Sequence, residues 1–146
     1  MALADTNSII WTHLVGDAGI IAFFLPGAPR IYCPRLPEKA VLPAISFFTR
    51  GGASTPYIPG IVTPSVQFDC WAKDEVALAG PIGARGVYRV LYDALQGIQE
   101  QAVTVGVNTY RILSAIEEVQ GQDLVDTEIP NYFRVLTFFS VMIRAE

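Results

Sequence analysis

The sequence predicts an α+β fold: a mainly antiparallel four-stranded sheet with two main helices packed on one face, in the order helix-strand-strand-helix-strand-strand. Three observations predict it. Residues 66–72 alternate strictly between two kinds of side chain, as a half-buried strand does. Residues 87–95 repeat apolar side chains at helical spacing, and residues 132–144 are apolar on both faces of a strand. We therefore expect the open face of the sheet, or its edge, to meet a neighbouring subunit.

The first helix is predicted over residues 5–15, where apolar side chains recur at helical spacing. Either Asp5 or Thr6 can cap its start, because each offers a side-chain oxygen to the first unpaired backbone N–H groups. Gly16 can end the helix, and Asp17 can cap a second short turn after it.

The first two strands are predicted over residues 44–49 and 66–72. In the second of them the alternation sends one set of side chains into the core and leaves Gln67, Asp69 and Trp71 on the other face. A tryptophan between polar neighbours is not typical of a core. We expect another element or another subunit to cover that face.

Residues 51–64 connect these two strands and contain three glycines and three prolines. This composition predicts irregular structure, and unstructured connections longer than about 12 residues are usually functional or disordered. Its apolar side chains are Tyr57, Ile58, Ile61 and Val62. We expect the connection to contact a partner, such as another subunit; the alternative is an ordinary loop between strands.

The second main helix is predicted over residues 74–96, with a kink or a loosened turn near Gly80. A loop that has room for a short strand at residues 102–107 follows it, and the third main strand is predicted over residues 110–119. An acidic turn over residues 121–130 then leads to the last strand.

The composition indicates a surface poor in charge. Hydrophobic residues make up 51% of the chain and charged residues 16%, against about a quarter in an ordinary globular domain. Lys39 and Lys73 are the only lysines, so eight of the ten cationic residues are arginines, as is typical of protein interfaces. GC-rich coding drift is the alternative explanation. Exposed apolar area favours an oligomer or a subunit of an assembly.

The net charge is −4 without a basic run, which argues against binding a nucleic-acid backbone by charge neutralisation. Cys33 and Cys70 form no CxxC motif, so we expect buried free thiols in a reducing compartment. The N-terminus lacks a positively charged region, and no apolar run reaches the roughly 20 residues of a membrane span. We expect a soluble protein of one domain, without an export signal.

The sequence offers no combination of residues for catalysis. His13 has neither partner ligands nor a nearby nucleophile motif, so a packing or surface role is favoured. Glu117 and Glu118 are adjacent and point to opposite faces of a strand, so they cannot form a catalytic pair. The glycine-rich residues 80–86 match neither a dinucleotide fingerprint nor a P-loop. We expect no enzyme activity, no metal and no cofactor.

Several segments, taken in order, resemble the tail terminator, or tail completion, family of long-tailed bacteriophages. They are a helix ending at Leu14-Val15-Gly16, Arg30-Ile31-Tyr32, Leu36-Pro37, Leu42-Pro43-Ala44-Ile45, the strand 66–72 leading into a helix, and Tyr132-Phe133-Arg134-Val135 in an aromatic and aliphatic strand. The likeness extends over most of the chain, and it lies in the order and spacing of the segments.

The resemblance implies a subunit of a six-membered ring at the head-proximal end of the tail tube. Such a ring stops polymerisation of the tube protein and provides the surface that joins the head. The implied partners are further copies of the chain, the tail tube protein and a head-completion or connector protein. DNA would pass through the ring without specific binding. The implied place is the neck of the virion, after synthesis in the host bacterial cytoplasm, with no membrane involved.

Two alternatives remain open. One is another neck component, such as a head-closure or connector-adaptor protein. The other is a small α+β ligand-binding module or enzyme that uses the open face of the sheet. The candidate residues for subunit or partner contacts are Arg50, Tyr57, Ile58, Ile61, Val62, Asp69, Trp71, Arg134, Phe138 and Arg144.

Overall fold

The computed structural model describes residues 5–25, 27–54, 60–73, 80–125 and 132–145. Its elements are, in chain order, α1 Thr6–Val15, α2 Ala18–Phe24, β1 Ile31–Tyr32, β2 Ala44–Ser54, β3 Ile61–Lys73, α3 Gly80–Leu95, β4 Gln101–Val105, β5 Asn108–Val125 and β6 Tyr132–Ala145.

The six strands form one sheet in the order β1-β2-β3-β6-β5-β4. β1 pairs with β2 in parallel, and every other neighbouring pair is antiparallel. Helix α1 contacts β1 and β2 at one side of the sheet and β4 at the other. The sheet therefore curls into a half-barrel around the helices.

The fold is mixed α+β, but the predicted architecture is wrong. The described residues form three helices and a six-stranded curled sheet instead of two main helices and a four-stranded sheet. The predicted second short turn is a separate helix, α2, because the Asp17 carboxylate accepts a hydrogen bond from the Ile20 N–H at 3.1 Å and caps it. β1 has two residues, too few for a periodic pattern, and β4 stands at the sheet edge as a full strand.

The alternation of residues 66–72 is confirmed. Val66, Phe68, Cys70 and Ala72 all point into the core and are at most 1% exposed. The Phe68 ring lies 5.7 Å from both the Phe47 ring and the Phe139 ring, so three strands meet in one aromatic cluster. Helices α1 and α3 complete the core from the inside of the curl.

The prediction that residues 51–64 are irregular is wrong at both ends of the segment. Residues 51–54 extend β2 and residues 61–64 extend β3, and the two stretches pair across a register shift between Thr49 and Gly52. The glycines create a bulge instead of ending the strand. Gly52 has a φ of +139°, and an added Cβ would lie 2.2 Å from the Thr63 carbonyl oxygen.

The predicted acidic turn over residues 121–130 is wrong for its first part, because β5 continues to Val125. Three register shifts against β6 interrupt the pairing, between Ile112 and Ser114, Glu117 and Val119, and Val119 and Gln122. Each shift breaks the alternation that identifies a strand in sequence. Residues 126–130 lie outside the described part of the chain.

Helix α3 begins, within the described residues, at Gly80, and residues 74–79 of the predicted helix lie outside them. Pro81 stands in the first turn, where a missing N–H costs no intrahelical hydrogen bond. Among the described residues no single helix could cross a membrane; α1 and α2 are long and apolar enough only when taken together, and a 66° bend separates them.

Candidate interaction surface

The face of the sheet that points away from the helices carries apolar side chains among polar ones such as Ser65, Gln67 and Ser140. We call it the outer sheet face and define it by the side chains that alternate with the core positions of β2, β5 and β6. Its apolar members are Phe48, Ile116, Val119, Leu136, Phe138 and Met142. Ile116 is 58% exposed and Val119 37% exposed.

Strand β6 is apolar on both sides because its two faces have different environments. Val135, Phe139, Val141 and Ile143 are fully buried against the helices. Leu136, Phe138 and Met142, on the outer sheet face, are each only partly covered. An apolar strip of this kind on a folded chain marks a contact surface.

Arg50 lies at the centre of the outer sheet face. Its guanidinium carbon is 4.3 Å from the centre of the Phe138 ring, a cation–π contact across two strands. Arg50 itself is exposed, and its neighbour Phe48 is partly covered. Aromatic side chains and arginine are both enriched in protein interfaces, and arginine is enriched at their energetic centres.

Trp71 lies at the other end of this face and is 9% exposed. Its indole N–H donates a hydrogen bond to the Ser46 Oγ at 2.9 Å, and the Arg134 guanidinium lies 5.3 Å from its ring centre. Residues 35–39 line the same pocket as Trp71. The cover expected over Trp71 is therefore an element of the same chain, the connection between β1 and β2.

Asp69 brings a carboxyl group into this covered end, where it is 6% exposed. Burial raises its pKa, and the nearby Arg134 and a hydrogen bond from Gln67 lower it by less. The ion pair is long, 3.4 Å between the Arg134 Nη1 and the Asp69 Oδ1. The Arg134 Nε is buried and has no acceptor among the described residues. Asp69 and Arg134 thus form a long internal ion pair at this end of the face.

The remaining candidates divide between the two faces. Ile61 and Arg144 are paired neighbours on the outer side, near the end of the β2 and β3 hairpin. Val62 points the other way and packs against the core. Tyr57 and Ile58 lie outside the described residues. The structure therefore brings Arg50 and Phe138 together and places Trp71, Asp69 and Arg134 in a separate, covered cluster.

A polar cluster on the core side was not predicted from sequence. The Glu117 carboxylate accepts hydrogen bonds from the Tyr88 hydroxyl at 2.6 Å and from the Thr137 hydroxyl at 2.8 Å. Burial, together with the Glu117 carboxylate, raises the pKa of Tyr88 to about 12. Glu118 instead accepts from the Ser65 hydroxyl on the outer side, so the two glutamates point to opposite faces, as predicted. Because Tyr88 and Thr137 both donate hydrogen bonds to Glu117, they hold the irregular part of β5 against α3 and β6.

The other residues considered for chemistry have structural surroundings. The His13 Nε2 lies 3.0 Å from the Ala94 carbonyl oxygen and joins α1 to α3, as predicted for a packing histidine. Both cysteines are free, but Cys33 is exposed, which corrects the expectation that both are buried; Cys70 is buried. Within the ranges that the structure describes, no group of three His, Cys, Asp or Glu side chains could hold a metal ion.

A second group of exposed apolar side chains lies on the helical side of the molecule. Ile21 on α2 is 38% exposed, Leu25 just after it is 64% exposed, and Ile82 at the start of α3 is 80% exposed. Helices α2 and α3 contact each other, so these side chains belong to one side of the molecule. The chain thus carries apolar surface on two different sides.

A comparison of the chain with protein-family models gives no match, and a comparison with curated proteins finds none with significant similarity.

Proposed function

We propose that this chain is a virion structural protein that forms a ring at the head-proximal end of a bacteriophage tail tube, ends tube polymerisation and provides the head-joining surface. The observation that carries the proposal is the outer sheet face. Its strip of partly exposed apolar side chains, with Arg50 stacked on Phe138, has the composition of a protein interface and no cover among the described residues.

A ring needs two different surfaces on each subunit. A contact between unlike surfaces repeats around an axis and either closes into a ring or continues as a filament. The outer sheet face and the apolar side chains of α2 and α3 are two such surfaces on one chain. A closed ring can match the tube on one side and withhold that match on the other, which is the physical requirement for stopping growth.

The order of sequence segments supports the same proposal, because it resembles the tail terminator family over most of the chain. The partners that follow are further copies of the chain, the tail tube protein and a head-completion or connector protein. A net charge of −4 suits a lumen through which DNA slides, since few cations are available to bind phosphate.

Another neck component, a head-closure or connector-adaptor protein, would use the same surfaces and is the main alternative. A ligand-binding module or enzyme is supported less. The polar groups that converge in the described core, Tyr88, Glu117 and Thr137, form hydrogen bonds with one another, so these contacts already occupy them.

Substitution of Ile116 tests whether the outer sheet face is the contact. Ile116→Lys places a charge in the apolar strip at a position exposed enough to leave the fold intact. One charge in an interface core costs at least about 1.4 kcal/mol, so the protein concentration needed for ring formation should rise about tenfold or more. Negative-stain microscopy and native mass spectrometry across a concentration series measure the protein concentration at which rings form.

Val107→Lys is the matched control, since Val107 is 98% exposed in the turn between β4 and β5, away from the outer sheet face. Its assembly should equal that of the unsubstituted chain. Rings that form equally well from the Ile116→Lys protein would exclude the outer sheet face as the contact. A chain that stays monomeric at every concentration, and is absent from rings in the virion, would exclude the ring itself.

A further inference from the structure

A groove runs between α1 and the outer edge of β4. Its first half, about 360 Å³, lies between the C-terminal part of α1 and residues 101–104 of β4. Its second half, about 460 Å³, lies between the N-terminal part of α1 and Val105, and Thr12 lines both halves. Ten helical residues are about 15 Å long and five strand residues about 16 Å, so the two walls match in length.

One wall of the groove offers backbone hydrogen-bonding groups. β4 and β5 are joined by a two-residue turn, so Val105 and Asn108 form a hydrogen-bonded pair and the pairs alternate from there. The N–H and C=O groups of Ala102 and Thr104 therefore point away from β5, toward the groove. In the described part of the chain no strand pairs with this side of β4. The Ala102 carbonyl accepts a hydrogen bond from the nearby Gln101 side-chain amide, at 3.2 Å.

The side chains of the groove differ between its ends. The half beside residues 101–104 is polar and includes Asp17. The other half contains Trp11, which is 44% exposed, with Cys33 and Val105. Asp5 lies close to this half, because its carboxylate accepts hydrogen bonds from the N–H and the hydroxyl of Ser8, which lines it. Carboxylates thus stand near both ends, and no lysine or arginine lines either half.

We propose that this groove binds an extended segment of a partner protein as an added strand on β4, with cationic side chains at the two ends of the segment and an apolar side chain beside Trp11. Hydrogen bonds to Ala102 and Thr104 hold the backbone of the segment, and the helix wall selects its side chains. The groove lies on the helical side of the molecule, away from the outer sheet face. The inference therefore goes beyond the proposed ring and does not rest on it.

The partner segment comes from a different protein. Within the described residues β1 and β4 are the edge strands of the sheet. β1 has only two residues, and the β4 edge of a second copy would bring the same carboxylates against those of the groove, so neither suits a donor strand. The bordering carboxylates select the charge of the segment, because an extended peptide with basic ends meets opposite charge at both ends of the groove.

Selection of a displayed library of random octapeptides on the purified full chain tests the proposal. Bound peptides should be enriched in Lys or Arg near both ends with an apolar residue between them. In the complex with a synthetic selected peptide, the amide protons of Ala102 and Thr104 should exchange with solvent at least tenfold more slowly. The Val103 amide, already paired with β5, should change little.

Thr104→Pro removes one outward N–H and no ladder hydrogen bond, so the fold is retained. It should weaken peptide binding at least tenfold, whereas Thr104→Val, the matched control that keeps the N–H, should change it by less than about threefold. No enrichment over the unselected library, equal binding by the two variants, or unchanged Ala102 and Thr104 exchange would overturn the proposal. Concentration-dependent protection of these amides without peptide would show pairing with a second copy instead, and would overturn it too.

Discussion

At the residue scale, Asp69 has surroundings that oppose its charge. The side chain is nearly buried beside Trp71 and Ser46. The Arg134 guanidinium is its nearest cation, at 3.4 Å, and the buried Nε of that guanidinium has no hydrogen-bond acceptor among the described residues. Burial outweighs the arginine and raises the pKa of Asp69 above its ordinary value of 3.8. The folded chain therefore holds this proton more tightly than the unfolded chain does.

This raised pKa predicts how stability depends on pH. Between pH 3.8 and the raised pKa of Asp69, the folded state binds more protons than the unfolded state. The contribution of Asp69 to the free energy of unfolding therefore falls as the pH rises through this window, and it stays constant at higher pH. Asp69→Asn cannot ionise, so its stability relative to the unsubstituted chain should increase across that window. Urea unfolding midpoints at a series of pH values from 3.5 to 7 measure it.

Glu118→Gln, which changes an exposed carboxylate on the same face, is the control and should run parallel to the unsubstituted chain. If the Asp69→Asn curve also runs parallel, burial does not dominate the surroundings of Asp69.

Trp71 shows what the sequence could and could not predict at this scale. The alternation of residues 66–72 correctly placed Trp71 opposite the core side chains and indicated that something covers it. The cover is made by residues 35–39, which are distant in sequence and lie in the irregular connection between β1 and β2, so no periodic pattern links them to β3. The hydrogen bond to Ser46 likewise depends on the register between β2 and β3.

At the element scale, the hairpin of β2 and β3 depends on two glycines with different surroundings. Both Gly51 and Gly52 have positive φ, +109° and +139°. A Cβ on Gly51 would meet nothing within 4 Å, whereas a Cβ on Gly52 would lie 2.2 Å from the Thr63 carbonyl oxygen. Gly52 is therefore required by backbone conformation and by the close approach of the neighbouring strand.

Alanine substitutions separate these two requirements. Gly51→Ala should lower the free energy of unfolding by about 1–3 kcal/mol, the cost of holding a side-chain-bearing residue at this φ. Gly52→Ala should cost about 1–3 kcal/mol more, because the strands must also move apart. Urea unfolding of both proteins measures the difference. Equal losses would mean that β3 does not approach Gly52 closely.

Elements with sustained periodicity could be predicted, and those without it could not. Helix α1 and residues 66–72 of β3 each follow one period, and β6 is a long apolar run, so these elements were predicted at or near their observed positions. β5 changes register three times, so its second half has the composition of a turn. The bulge at Gly52 likewise made paired residues look like a loop, because glycine and proline end most strands but are tolerated at bulges.

At the scale of the whole molecule, the low fraction of charged residues indicated exposed apolar surface, and the curl of the sheet decides where that surface lies. The helices fill the inside of the half-barrel, so the apolar side chains of Leu136, Phe138 and Met142 remain on the outside. Sequence identified Phe138 and Arg50 as contact candidates. It could not identify Ile116 and Val119, because their faces follow from register shifts in β5.

The tail length of a phage lacking this protein tests the proposed function most directly. If the ring ends the tube, tube subunits remain able to polymerise without it but nothing stops them. Electron microscopy should then show tails of widely varying and excessive length, beside heads that have not joined them. Tails of normal, narrow length distribution, with or without heads that leak DNA, would contradict the terminator role.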